Sequence, residues 1–502
     1  MDMVFDIIVI GGGINGCGIA ADAAMRGLSV LLIEKDDIAS KTSSSSSKLI
    51  HGGLRYLEQY NFSLVKKALD ERQVLLKIAP HLVYPLPFVL PYDQSMRPTW
   101  LLRTGLFLYD HLSRKNRLPK SRFIRRASHA DRFSPLTRHY QKGFLFYDCA
   151  TDDARLTVTN ALQAKRHGAT ILSGTELLHG IARHNQWHIT ARLPDDEEKL
   201  FRAKVIINAS GPWVEQVNQR LQVPSRFKIS LVKGSHLVVH KLYEGNHAYL
   251  LQNQDNRIVF VIPYHGFTMI GTTDIAFDSS PDNIAISPQE IEYLLSLTNR
   301  YLNRPLKPQD IITTWSGVRP LLSSDKKTPQ ALSRDYTYHF IASPAPIISI
   351  YGGKITTYRQ LSRETIDALA PVFPSLKPSG SHREILPGGH LGELDFKSYL
   401  SYAKEKYHWL ENDVKERILH TYGTLSEQFL AKCDKTSDLG IHFGHGLYQS
   451  EVDYLINEEW AHSCDDILWR RTKLGLVFNP PETQGLSEYL RHSLKQETVE
   501  AP

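Results

Sequence analysis

A chain of 502 residues, 42% hydrophobic and 22% charged, has the composition of an ordinary globular protein and the length for two or three domains. Its four cysteines, Cys17, Cys149, Cys433 and Cys464, show no CxxC spacing; they read as small buried hydrophobes in a reducing compartment and argue against a zinc or disulfide framework. The net charge is only +6, yet nine Lys or Arg against the single acid Asp110 fall between Gln94 and Ala130, so that segment carries +8 and the remainder −2.

In chain order, the first apolar run, Val4 to Ile10, leads straight into glycines, with no basic segment or cleavage site, so no secretory signal is expected. No stretch approaches the roughly 18 uninterrupted apolar residues of a membrane-spanning helix. Asp6 to Ile10 reads as a short buried strand, and Gly11-Gly12-Gly13-Ile14-Asn15-Gly16 follows at once as G-x-G-x-x-G. Cys17 to Arg26 is rich in Ala and reads as a helix closed by Gly27. Ser29 to Ile33 is a second strand ending at Glu34, 18 residues beyond Gly16. In such a unit Gly11 permits the tight turn, Gly13 admits a pyrophosphate to the backbone, and Gly16 lets helix and strand pack closely. The helix N-terminus offers free N–H groups and a positive dipole end to phosphates, and Glu34 stands where a carboxylate accepts from a ribose diol. Strand, helix, second strand and acid in register predict a dinucleotide site. The spacing fits FAD and NAD equally.

Residues 42 to 56, TSSSSSKLIHGGLRY, join a low-complexity serine run to the glycines, cation and aromatic of a binding loop. A linker has nothing to link so early in the chain. Hydroxyls and backbone N–H groups are donors that a loop beside a pyrophosphate can offer without burying charge. Asn61 to Ala79 has helical periodicity, and five prolines from Pro80 to Pro98 predict extended or looped chain. Trp100 to Tyr109 carries large apolar groups amid the nine cations, which suits a segment lying in a lipid interface. Nucleic-acid binding and a core helix with a solvated basic face are the rival readings. Val205–Asn208, Ile258–Ile262 and Ile347–Ile350 read as strands, so the middle is mixed with a substantial sheet. The composition shift over 373–389 reads as a linker, and 394–502 as a small helical domain.

Several ordered segments resemble one family. IVIGGGINGCGIAADAAMRGLSVLLIEKDDIA, SSSSSKLIHGGLRYLE, INASGPWVEQV, LVKGSHLVV, FVIPY, IGTTD, WSGVRPL, SRDY, GGKITTYR and WRRTKLGL resemble the FAD-dependent sn-glycerol-3-phosphate dehydrogenases, the aerobic type that passes electrons to quinone. The resemblance implies an α/β fold, with a glutathione-reductase-like FAD-binding Rossmann domain interleaved with an α+β substrate domain, then a C-terminal α-helical domain. The expected FAD parts are 1–80, 145–215 and 335–385, the substrate parts 81–144 and 216–334, and the helical domain 386–502. It also implies FAD rather than NAD. Small-residue signals at Asn208–Gly211 and Tyr351–Lys354, far from the opening unit, agree with a long embedded cofactor. The implied cofactor contacts are Gly11, Gly12, Gly13, Asn15, Gly16 and Glu34, then Thr42, Ser43, Ser46, Ser47 and Lys48, and finally Gly211, Gly352, Gly353 and Thr356.

Glycerol 3-phosphate is a small dianion with a secondary alcohol, and phosphate favours arginine, whose fork donates paired hydrogen bonds. Arg55, Arg319, Arg334 and Lys354 each sit in a resembling motif and, with Tyr56 and Thr357, are expected to surround the substrate. Lys354 is also expected to take part in catalysis. The C2 hydroxyl proton has two candidate handlers. His236 is the residue type suited to general-base work near neutral pH, and Arg319 more naturally stabilises a developing alkoxide. His51 reads as loop-structural. The 22 histidines show no HExxH or comparable spacing, and no metal site is expected. The expected activity is oxidation of sn-glycerol 3-phosphate to dihydroxyacetone phosphate, with membrane quinone as acceptor. The alternatives are an oxidase using oxygen on the same fold, and a flavoprotein serving mainly membrane or nucleic-acid binding. The expected location is the cytoplasmic face of a bacterial inner membrane, monotopic on an anionic surface, with no nucleic-acid partner and a homodimer left open.

Overall fold

Branched apolar runs build the first of two large sheets. Val4–Ile10 pairs in parallel with Val30–Ile33 on one side and with Glu198–Asn208 on the other. Ile347–Tyr351 extends the sheet in parallel and Thr337–Ile341 closes that edge antiparallel, while Thr170–Leu172 lies at the far edge. Strands buried on both faces explain the continuous Val/Ile runs. Helix Ile14–Met25 covers this sheet together with Asp153–Arg166 and Tyr358–Asp367. Small residues set the approach: a Cβ on Gly18 would stand 2.7 Å from Tyr358 and Ser362 side-chain atoms. The structure, a computed structural model, describes residues 4–58, 60–93, 98–253, 257–323, 332 and 334–500, without the side chains of Arg55, Glu58 and 495–500.

The second sheet has ten strands and is built largely around Ile229–His240, Ile258–Tyr264, Phe267–Gly271 and Ile311–Leu322 on one side and Val83–Tyr92 and Lys142–Thr151 on the other. The two sheets draw on alternating stretches, the first on 4–33, 170–208 and 337–351, the second on 49–50, 83–151 and 229–322. Val83–Tyr92 is a ten-residue strand in spite of Pro85, Pro87 and Pro91. Their equal parity puts the missing donors on one edge, so the ladder to Lys142–Thr151 runs its full length. On the other edge Ala248–Gln252 pairs only with Phe88 and Val89.

Helix Phe62–Ile78 forms where periodicity predicts it, and the Asn61 side chain caps it by accepting from the Leu64 N–H. Helix Thr99–His111 buries Leu102, Leu106 and Tyr109 in the core of the second sheet. Its other face leaves Trp100, Leu101, Phe107 and Leu108 exposed. The expected linker at 373–389 is a docked connection instead: Arg359 donates to Ser381, Ser379 to Asp22, and the Leu386 N–H to the Ile78 carbonyl. Helices Phe396–Lys406, Asn412–Tyr422, Gln449–Glu459 and Pro480–Glu500 then share one apolar core with the helices over the first sheet. Among the described residues no helix is long and apolar enough to cross a membrane.

Candidate active site

A cavity of about 350 Å³ opens where Val4–Ile10 and Val30–Ile33 end and reaches the second sheet at Phe260, Thr272 and Arg319. At its first end the glycines separate by role. Gly11 has φ +112°, and a Cβ on Gly16 would lie 1.9 Å from the Gly11 carbonyl oxygen, so backbone geometry alone demands both. A Cβ on Gly13 would meet only Ser43 Oγ, at 3.1 Å, so the space it leaves belongs to the cavity. Glu34 closes this end, accepting from the Gly12 N–H at 2.6 Å and the Asp36 N–H at 2.9 Å. Burial pushes its carboxyl pKa up, and those two N–H bonds only partly oppose it. Gly12 and Gly16 shape the turn without lining the cavity.

The serine run is fastened along its length. Ser43 Oγ accepts from the N–H of Ile14 at the helix start (2.9 Å), and Thr42 Oγ1 donates to the Val318 carbonyl (2.8 Å). Ser46 donates through Oγ and N–H to Asp153 (2.7 and 3.0 Å), and Ser47 Oγ shares a hydrogen bond with His236 Nε2 (2.9 Å). Gly317 makes room for the loop, since a Cβ there would stand 2.8 Å from Ser45. Thr42, Ser43, Ser45, Ser46 and Ser47 line the cavity, Ser45 being one the sequence reading missed. Lys48 does not line it. Its ammonium is buried against Asp153 (2.8 Å) and the Ser44 carbonyl (2.8 Å), so it braces the loop from behind.

Asn15, Gly211, Gly352, Gly353 and Thr356 also line the cavity, with φ of +57°, +78° and +109° at the three glycines. Asn15 Nδ2 donates to the Gly352 carbonyl while its buried Oδ1 has no donor among the described residues. At the second end Arg319, Arg334, Lys354, Tyr56 and His51 converge. Lys354 Nζ stands 3.9 Å from the centre of the Tyr56 ring, and Arg319 and Arg334 both donate to Asp274. Burial would raise the Tyr56 phenol, but Arg334 and Lys354 outweigh it and its pKa falls below the ordinary value. Burial likewise pulls Lys354 down.

Three expectations change here. His236 does not line the cavity: it is fully buried on its strand, stacked on Trp315 at 5.4 Å and bonded to Ser47. His51, read from sequence as structural, lines it beside the cations. Thr357 is buried outside the lining. The Arg55 side chain lies outside the described residues, although its backbone starts the short helix Arg55–Glu58.

The helix start without a cap from its own N-cap residue, the space at Gly13 and the orphaned Asn15 oxygen suit a long dinucleotide between the two sheets. A family model described as FAD dependent oxidoreductase matches residues 6–359, and one described as C-terminal domain of alpha-glycerophosphate oxidase matches 379–487. The fold and the cavity thus define an FAD-dependent oxidoreductase. A glycerol-3-phosphate dehydrogenase of Pseudomonas aeruginosa is 46% identical over 97% of this chain and 95% of its own. An aerobic glycerol-3-phosphate dehydrogenase of Escherichia coli is 44% identical, covering 97% of each chain. A D-erythritol 1-phosphate dehydrogenase of Brucella abortus is 42% identical over 96% of this chain and 97% of its own. The solved structure of the glycerol-3-phosphate dehydrogenase from Bacillus halodurans complexed with FAD matches 99% of this chain and 90% of that one, with a TM-score of 0.76 at 26% identity. The chain belongs to the glycerol-3-phosphate dehydrogenase family of flavoproteins.

Proposed function

We propose that this protein oxidises sn-glycerol 3-phosphate to dihydroxyacetone phosphate and passes the electrons to a membrane quinone. The observation that carries the reading is the convergence of Arg319, Arg334 and Lys354 with Tyr56 and His51 at one end of a cavity whose other end is the glycine-rich turn. FAD, when bound, supplies the two-electron acceptor. The residues that would hold it are Gly13 and the helix start behind it, Glu34, Thr42 with the serines, and Gly211, Gly352, Gly353 and Thr356. Arg319 and Arg334 offer fork donors to a phosphate dianion, and Lys354 adds a third cation. His51 accepts the C2 hydroxyl proton once the phosphate dianion offsets the neighbouring cations that depress its basicity. Arg319 stabilises the charge that develops on that oxygen.

The membrane partner rests on surface chemistry. Trp100, Leu101, Phe107 and Leu108 form one exposed face of Thr99–His111, and Tyr60 and Phe62 lie exposed beside an element sharing the same core. Arg103 on the same helix and Arg114, Lys115, Arg117, Lys120, Arg122 and Arg125 in the chain that follows it are exposed. Apolar groups flanked by cations fit an anionic bilayer surface, here the cytoplasmic face of a bacterial inner membrane.

The test is anaerobic stopped-flow: glycerol 3-phosphate should bleach the flavin, and added quinone should restore its colour. Faster bleaching by D-erythritol 1-phosphate would overturn the substrate. Rapid peroxide formation in air without quinone would make the protein an oxidase.

A further inference from the structure

We propose that Asp274 is a positioning residue that yokes Arg319 and Arg334 into a single anion-binding fork; the proposal rests on reading this end of the cavity as the phosphate site. Asp274 Oδ1 accepts from Arg319 Nη1 at 2.8 Å, and Oδ2 from Arg334 Nη2 at 2.6 Å. Both arginines line the cavity and Asp274 does not, its side chain being 10% exposed. The carboxylate therefore stands behind the guanidiniums. It accepts from both, and the two guanidiniums still present donors to the cavity they line.

Topology gives the contact its purpose. Arg319 lies on Ile311–Leu322 in the second sheet, and Asp274 follows Phe267–Gly271 in the same sheet. Arg334 comes just before Thr337–Ile341, an edge strand of the first sheet. One carboxylate thus ties the two sheets together where the substrate would sit. Two partly buried guanidiniums at such close quarters repel: burial and Arg334 both pull the Arg319 pKa down, and Asp274 opposes them. Two neighbours fix Arg319 further. Its Nη2 donates to Thr272 Oγ1 at 3.3 Å, and a Cβ on Gly234 would crowd the same nitrogen at 2.7 Å.

Charge and geometry predict opposite results when Asp274 is changed. Losing a negative charge beside a dianion site would tighten binding, whereas loosening the fork weakens it. In FAD-loaded Asp274→Asn, which keeps the side chain's size, we expect the KM for glycerol 3-phosphate to rise about tenfold, with kcat within about threefold and the flavin content and absorbance spectrum unchanged. Asp274→Ala combined with Arg334→Ala should cost little more than Arg334→Ala alone, because the fork is already broken. Inorganic phosphate, titrated calorimetrically into the holoenzyme, should weaken in parallel in Asp274→Asn. A KM that falls or stays within twofold overturns the proposal, and so does loss of flavin from Asp274→Asn. If the parent binds phosphate but glycerol 3-phosphate leaves its flavin oxidised, the substrate reading fails while the phosphate titration still decides the role of Asp274.

Discussion

Burial, then the charges of Lys354, Arg334, Arg72 and Arg319, bring the His51 pKa down to about 3. Before substrate binds the ring is therefore neutral but weakly basic, and a phosphate dianion among the same cations would restore its basicity toward the working range. The kcat/KM profile, which reports the free enzyme, should show no acid limb near pH 6.5 from this residue. His51→Gln should slow flavin reduction by glycerol 3-phosphate at least about 100-fold with FAD content unchanged; a near-parental stopped-flow rate would remove His51 from the chemistry. The same shift has a stability sign. The unfolded chain takes up the proton first as pH falls below about 6.5, so His51 costs stability between there and about pH 3. Urea midpoints at pH 7 and pH 5 should therefore diverge more in the parent than in the variant. Gly11 and Gly16 were legible from sequence because their constraint is local backbone geometry. The two histidines were not, because residue type does not say which way a ring faces. His236 turns inward between Ser47 and Trp315, while the His51 N–H reaches the Thr356 hydroxyl and its ring lines the cavity.

The C-terminal domain braces the walls of the cavity. In the segment Asp466–Arg471, Arg471 is fully buried and donates to both oxygens of Asp37 at 2.6 and 2.8 Å and to the Glu459 carbonyl. Asp37 lies three residues past Glu34. Lys473 Nζ meets Asp152, the N-cap of Asp153–Arg166, and the next residue, Asp153, carries Ser46 and Lys48. Removing one partner of a buried ion pair costs about 3–5 kcal/mol, so Arg471→Ala should lower the unfolding midpoint accordingly and strip FAD during gel filtration. Full FAD retention would show that the Asp37 loop stands without the domain. The WRRTKLGL run was visible as a motif, but its partner was not, because Arg471 and Asp37 are 434 residues apart. Elements that depend on neighbours in sequence, such as Phe62–Ile78 with its Asn61 cap, were legible for the converse reason. Val83–Tyr92 was not: its prolines read as loop, and only the ladder to Lys142–Thr151 along the edge away from their nitrogens, far on in the chain, makes them tolerable.

Across the whole molecule the proposed membrane face and the proposed substrate end share one helix. Tyr109, on the buried side of Thr99–His111, accepts from the Gly52 N–H at 2.8 Å and donates to Asp148, which Arg72 also holds. Trp100 and Phe107 sit on the opposite side, 68% and 60% exposed, and touch neither loop nor cavity. Moving a large apolar side chain from water to a hydrocarbon boundary contributes roughly 1.5–3 kcal/mol. Trp100→Ser with Phe107→Ser should therefore weaken binding to anionic liposomes by two orders of magnitude or more, in flotation assays at fixed lipid. Stability and flavin reduction in detergent should stay near the parent, because the exchanged atoms lie outside the core. Turnover with a lipid-embedded quinone should fall with the binding. Reversing Arg122 and Arg125 to Glu should give a loss that depends on ionic strength instead, as exposed charges are screened. Arg126 does not belong in that set, since its guanidinium donates to the carbonyls of Leu136, Thr137 and Tyr140. Liposome affinity unchanged in both variants would leave the apolar face without its membrane, and the exposed tryptophan would need another partner.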